Sequence, residues 1–192
     1  MEFPTITDLH NYWHEHNACG LRASATQPVY GNGNPESRIV FIGEAPGADE
    51  DRDGVPFIGR AGKFLNEMLA DIKLKREDVY ITNTVKYRPP DNRDPLPDEI
   101  EACRQWLWEE MNFIKPLVIV TLGRYAMNYF LPEAKISNVH GKLVKKHIAG
   151  LSTYYFYPLY HPAAALYNGS MRGTLEEDMK KLPKILTDLQ NI

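Results

Sequence analysis

Residues 43–62 read GEAPGADEDRDGVPFIGRAG, with glycines at 43, 47, 54, 59 and 62 and carboxylates at Glu44, Asp49, Glu50, Asp51 and Asp53. Glycine lets a backbone turn tightly and approach a planar or phosphorylated group closely. A glycine-rich turn between a strand and a helix is also a common phosphate cradle. Here the carboxylates oppose that use, because they repel phosphate. The stretch therefore reads as a chemical site. Two further places carry usable side chains, the run Asn83–Arg93 and the pair His161-Pro162.

The flanking sequence says what must position them. Arg38–Ile42 is a short apolar strand candidate, and Lys63–Ile72 is a helix candidate on the far side of the loop. Val79–Val85 is β-branched and aromatic, which predicts a strand running into the proline-rich segment 86–97. Asp98 opens a helix to about Phe113, with Ile100, Cys103, Leu107 and Met111 on one face. Leu117–Leu122 is continuously apolar, as expected of a central parallel strand, and Gly123 turns it into a helix over Arg124–Phe130. Residues 135–150 predict a hairpin or irregular segment, Tyr154–Leu159 a fourth strand, and Leu175–Gln190 a closing helix. A first helix over 5–16, capped by Thr7 or Asp8, precedes a loop over 22–37.

Strands alternating with helices predict a three-layer α/β/α sandwich around a mostly parallel central sheet of about four strands. Three of the four strands then deliver their reactive residues at the carboxyl edge, where open parallel sheets gather ligands.

Composition bounds the rest. A length of 192 residues predicts one domain, and 43% hydrophobic with 24% charged residues is ordinary for a globular chain. No apolar run reaches the roughly 20 residues that span a bilayer, and no signal peptide is apparent, so a cytoplasmic protein without a membrane partner is expected. Two cysteines, Cys19 and Cys103, fit a reducing compartment. A net charge of −3 argues against wholesale electrostatic binding of nucleic acid but leaves room for a local basic face.

GEAPGADEDRDGVPFIGRAG, NTVKYRPPDNRDPLPDEIEAC, TLGRYA and YHPAAALYN, in that order, resemble family 4 uracil-DNA glycosylases over nearly the whole chain. The resemblance implies a monofunctional enzyme that flips uracil out of single- or double-stranded DNA and hydrolyses its N-glycosidic bond, acting as a monomer. The implied uracil pocket uses Gly43, Ala45 and Gly47 as walls, Phe57 as stacking surface, Asn83 as edge reader, and His161 at the leaving base. Glu44, Glu50 and Asn92 match positions able to orient water or stabilise an oxocarbenium-like sugar, and Glu44 alternatively holds loop backbone. Arg60, Lys86, Arg88, Arg93 and Arg172 are the implied phosphate contacts, with Leu166 or Tyr167 as the wedge entering the stack. The other histidines, His10, His14, His140 and His147, are expected at the surface.

The resemblance also implies a [4Fe–4S] cluster held by four cysteines, and here the sequence departs from it. The four positions read His16, Cys19, Tyr87 and Cys103. Clusters are held mainly by thiolates, so no cluster is expected and Tyr87 is expected to pack the space. A [4Fe–4S] cluster or another metal at His16, Cys19 and Cys103 is the weaker alternative. Arg88–Asp98 carries neither a histidine nor an insertion, so the covalent trapping known in a related subgroup is not expected. The altered cluster positions also keep open a catalytically weak nucleic-acid-binding member of the same fold.

Overall fold

The computed structural model describes residues 2–152 and 155–191. Its strands are β1 (Asn32–Gly33), β2 (Ile39–Gly43), β3 (Tyr80–Asn83), β4 (Val118–Leu122), β5 (Val144–Lys145) and β6 (Tyr155–Leu159). They form one sheet in the order β1-β3-β2-β4-β6-β5. The four inner strands are parallel, and the two-residue strands β1 and β5 pair antiparallel at the edges. The expected four-stranded sheet is thus its parallel centre. The two short edge strands were too brief to leave a periodic signal. Tyr154, the first residue of the expected fourth strand, lies outside the described residues.

Strand residues of one parity face one layer and the other parity the opposite layer, as a pleated strand requires. Ile39, Phe41, Ile81, Val118, Val120 and Tyr157 meet helix α3 (Arg60–Asp71) and helix α8 (Gly169–Gln190) through Phe64, Leu65, Met68, Leu175, Met179 and Leu182. Val40, Ile42, Tyr80, Ile119 and Phe156 meet α4 (Pro97–Ile114) and α5 (Arg124–Phe130) through Leu107, Met111, Met127 and Phe130. Each such large apolar side chain contributes about 1.5–3 kcal/mol on full burial. Because β2 and β4 are buried on both faces, their sequences read as near-continuous apolar runs, with Thr121 the one polar side chain.

The remaining helices are α1 (Ile6–His16), α2 (Ala48–Asp53), α6 (Ile136–Val139) and α7 (Pro162–Tyr167). Helix α1 is capped by Thr5 rather than Thr7 or Asp8: Thr5 Oγ1 accepts from the Asp8 N–H while Asp8 closes a capping box. Helix α4 starts at Pro97, where Glu99 accepts from the Leu96 N–H at 2.7 Å, so Asp98 is not its cap. Helix α2 lies within the stretch expected to be loop.

β2 has β3 on one side and β4 on the other, so the chain reverses its winding direction at β2. Such a reversal opens a crevice beyond the carboxyl ends of the strands. The loops after β2, β3 and β6 meet there.

Candidate active site

A cavity of about 450 Å³ lies at that edge, lined among others by Glu44, Gly47, Glu50, Phe57, Asn83, Asn92, Arg93, Asp94, His161 and Tyr167. Ala45, Pro46, Ala61, Pro89 and Ala163 supply apolar wall. The size suits a small planar ligand.

Asn83 ends β3, is buried, and its Oδ1 has no hydrogen-bond partner among the described residues. An orphaned buried amide oxygen is costly, at about 1–3 kcal/mol, unless a ligand donor reaches it. Gly43 makes its position possible. A Cβ there would stand 2.5 Å from Asn83 Oδ1 and 2.5 Å from the Phe57 ring.

Phe57 is buried beside Gly43 and holds φ at 53°, a left-handed conformation that a non-glycine residue adopts at a cost of about 1–3 kcal/mol. Two side chains impose it. Arg76 donates to the Phe57 carbonyl at 3.0 Å and also to the Pro56 carbonyl. Glu50 Oε1 accepts from the N–H groups of Ile58 at 3.0 Å and Gly59 at 2.9 Å. Behind the ring, Gly62 lets α3 approach: a Cβ there would fall 1.8 Å from the Phe57 carbonyl oxygen.

The five loop carboxylates therefore separate by partner. Asp49 and Asp53 pair with Arg52. Asp51 accepts from the Thr26 N–H and hydroxyl at 2.9 and 2.7 Å. Glu50 holds the backbone after Phe57. Glu44 alone keeps an unpartnered buried oxygen, Oε1, on the cavity. Burial, reinforced by Asp94 and opposed by Arg124, pushes its carboxyl up to about 7. Its own backbone is gripped by β3's continuation, since Thr84 Oγ1 and the Val85 N–H both donate to the Glu44 carbonyl. The expected alternative of Glu44 as loop holder thus falls to Glu50.

His161 caps α7, and Pro162 takes the first helical position, where its missing N–H costs nothing. The Ala163 N–H donates to His161 Nδ1 at 3.1 Å. With Nδ1 accepting, the neutral ring carries its proton on Nε2. Burial pushes the imidazole down to about 4, only partly offset by Glu50, so the ring is neutral near pH 7. Its centroid lies 5.7 Å from that of Phe57.

Not every expected contact stays at the surface. Lys86 is 0% exposed, with its ammonium bonded inside the protein, so it is not a phosphate contact. Arg93 lines the cavity but is forked onto Glu99 at 2.8 and 2.6 Å. Arg172 is bound to Glu67 and Glu176 and lies over Phe64, pinned to the α3–α8 surface. Arg60 is exposed at the start of α3, and Arg88 donates to Asn92 Oδ1 at 2.8 Å on the cavity rim. Asn92 itself holds φ at 55° there. Tyr167 is 84% exposed and lines the cavity, whereas Leu166 is partly buried. Of the histidines expected at the surface, His10 is buried against Glu110 and His140 is bonded to Asp178.

The degenerate cluster positions do not fit a cluster. Cys19 and Cys103 are buried free thiols; Cys19 Sγ donates to the Glu99 carbonyl at 3.7 Å, and the neighbouring Cys19 together with burial pushes the Cys103 thiol up. Tyr87 is buried among them and Trp106, its phenol pushed up to about 12 by desolvation. His16 is exposed and stacked on Tyr12, with Nδ1 engaged at 2.7 Å by the Tyr12 carbonyl. Among the described residues no group of three or more His, Cys, Asp or Glu side chains is placed to hold a metal. No helix among them is long and apolar enough to cross a membrane.

Sequence reasoning missed Arg76 and the burial of Lys86. Arg76 lies in a run of charges, KLKRED, that carries no signal for its partner. For Lys86 a signal existed. Glu110 shares the apolar helix face of Cys103, Leu107 and Ile114, so a buried acid needed a buried cation.

The model of the uracil DNA glycosylase superfamily matches residues 30–190. The chain is 47% identical over 172 residues to the type-4 uracil-DNA glycosylase of Archaeoglobus fulgidus, covering 87% of this chain and 86% of that protein. It is 46% identical over 175 residues to that of Saccharolobus solfataricus, covering 88% and 81%. The Thermotoga maritima type-4 enzyme is 43% identical over 166 residues, covering 85% of each.

Proposed function

The chain belongs to the uracil DNA glycosylase superfamily, with the type-4 enzymes, and is a uracil-DNA repair glycosylase; from that premise we propose how its own residues divide the reaction. The observation that carries the assignment is the pair of orphaned buried oxygens, Asn83 Oδ1 and Glu44 Oε1, in one cavity beside Phe57 and a neutral His161.

The extruded uracil stacks on Phe57, a contact worth about 1–3 kcal/mol per base, with Gly43, Ala45 and Gly47 forming the close walls. Asn83 Oδ1 accepts from N3–H of the base, and its amide donates to O4. Cytosine presents an acceptor and a donor at those two atoms, the reverse pattern, and is refused.

The bond from N1 of the base to C1′ of the sugar breaks, its electron pair passing to the leaving uracil. His161 donates from Nε2 to O2, a bond that strengthens as negative charge gathers there. Being already neutral, the ring supplies polarisation without transferring a net charge. The sugar becomes oxocarbenium-like, and the Glu44 carboxylate faces it. Water adds its oxygen to C1′ and loses a proton. Glu44, whose pKa of about 7 suits either state, takes that proton. The departed uracil anion is protonated as Glu44 gives up the proton it took, which restores the carboxylate, and the products are free uracil and an abasic site. Asn92 contributes to placing the water from the rim, and Glu50 acts through the loop geometry it imposes.

Arg60 and Arg88 contact backbone phosphates, and Arg93 supplies positive charge at the rim while its fork stays on Glu99. Tyr167, not Leu166, is the wedge that fills the gap left by the base, as its exposure at the cavity mouth supports. Residues 1–192 act as one glycosylase domain, as a cytoplasmic monomer on single- and double-stranded DNA, and without a resident iron–sulfur cluster. The packing of Tyr87 into the buried cysteine pair supports the last point.

Incubation with uracil-containing single- and double-stranded oligonucleotides, followed by alkaline cleavage, tests the reading. Strand scission at the uracil is expected on both substrates. Binding without scission at any pH would instead leave a nucleic-acid-binding protein with an inactive pocket.

A further inference from the structure

Behind Asn83, on the side away from the cavity, lies a buried polar cluster that the reaction above does not use. Lys86 and Glu110 are both 0% exposed. The Lys86 ammonium donates to Thr82 Oγ1 at 2.5 Å, to the main-chain carbonyl of Asn83 at 3.0 Å, and to Glu110 Oε2. Three donors meet three acceptors, so the cation is fully satisfied. Glu110 Oε2 also accepts from Thr82 at 3.3 Å, while Oε1 is held by His10 at 2.9 Å and by the Tyr80 hydroxyl at 3.1 Å.

A buried ion pair is weak grounds for stability, since apolar residues of similar volume are often as stable or more so. What the pair does have is a position. β1 pairs with Tyr80 and Ile81, so among the described residues that edge of β3 has no paired strand at Asn83. On the other edge Asn83 stands opposite Gly43 of β2, and the Thr84 N–H donates to the Gly43 carbonyl. Lys86 thus supplies the grip that a longer β1 would have given, at the residue whose side chain enters the cavity.

We propose that Lys86, fixed by Glu110, is a positioning residue for base recognition: it anchors the Asn83 main chain so that the amide side chain meets the base edge in register. The inference rests on the reading of Asn83 as edge reader. Recognition by one amide needs donor and acceptor aligned together, and a displacement of about 1 Å can cost on the order of 100-fold in rate.

The test is a cycle of variants read by single-turnover uracil release with enzyme in excess. Lys86→Met alone would strand the Glu110 charge, so the pair Lys86→Met/Glu110→Gln removes both charges together. Folding is verified first by circular dichroism and thermal unfolding. The folded pair is expected to cleave about 10- to 100-fold more slowly than wild type. In an Asn83→Ala background, itself slow, the same pair is expected to change the rate by no more than about twofold. A loss of packing with no link to Asn83 would cost the same in both backgrounds, and that result overturns the proposal. So does a folded pair that cleaves at the wild-type rate. If Asn83→Ala alone cleaves like wild type, the edge-reader reading itself has failed, and the inference falls with it. Should the methionine pair not fold, Lys86→Gln/Glu110→Gln restores a neutral hydrogen bond between the two and is read in the same cycle.

Discussion

Arg76 donates to the main-chain carbonyl of Phe57 at 3.0 Å, from outside the cavity and 19 residues along the chain. Phe57 holds φ at 53°, so the wall on which the base would stack is a strained residue held by a distant cation and by Glu50. Strain of this kind persists only where the surroundings over-determine it.

Arg76→Ala should therefore lower cleavage more than its distance from the base suggests. Loss of the grip on two carbonyls is expected to destabilise the fold by about 1–3 kcal/mol and to slow single-turnover cleavage by about 10- to 100-fold. Thermal unfolding and rapid-quench kinetics on the same preparation separate the two effects. A destabilised variant with an unchanged rate would mean the Phe57 conformation does not depend on Arg76.

The pH dependence should follow Glu44. Its carboxyl is raised from 4.5 to about 7, so it is neutral below that value and ionised above it. Cleavage is expected to rise by about tenfold per unit as pH approaches 7 from below, then level off. Glu44→Gln should remove the inflection and hold the rate low throughout. The stability effect has the opposite sign. The folded state binds this proton more tightly than the unfolded one, so the contribution of Glu44 is present at low pH and lost as pH rises through about 7. Equilibrium unfolding of wild type and Glu44→Gln across that window checks the sign.

His161→Ala should slow cleavage by about 100- to 1,000-fold, the loss typical of one donor to developing charge, while DNA affinity changes little. Because burial holds the imidazole down at about 4, no second inflection from His161 is expected near neutral pH. An inflection that shifts in a His161→Gln variant would show that the ring titrates there after all.

Asn83→Asp should erode the preference for uracil over cytosine, since a carboxyl in its neutral form presents its donor and acceptor either way round. Competition between uracil- and cytosine-containing oligonucleotides reads this directly. Unchanged selectivity would place the edge reader elsewhere.

Freshly purified protein is expected to be colourless and free of iron and inorganic sulfide. Two thiols, a buried phenol and an exposed imidazole do not make a cluster site. A brown protein with stoichiometric iron and sulfide would overturn this.

Much of the architecture was legible because it depends on local pattern. The near-continuous apolar runs of β2 and β4 state burial on both faces, and the residues leaving β2, β3 and β6 converge once those strands are parallel. The order β3-β2-β4 and the edge strands were not legible, since a two-residue strand has no periodicity and is chosen by its neighbour. Thr5 rather than Thr7 as the α1 cap follows from one reciprocal bond with Asp8, which a choice among nearby hydroxyls and acids could not single out.

By itself the sequence determined the α/β class, the three strand ends that carry Glu44, Asn83 and His161, and a motif set that resembles one family. Those properties are written in contiguous residues, in hydrophobic period and turn chemistry. Only the tertiary structure decided which charge does what. Asp51 is committed to Thr26, Glu50 to the backbone after Phe57, Lys86 to Glu110, and Glu44 is left facing the cavity. The partners of these groups lie up to 25 residues away in the chain. A buried charge must find a partner, and folding, not sequence proximity, selects which one is within reach.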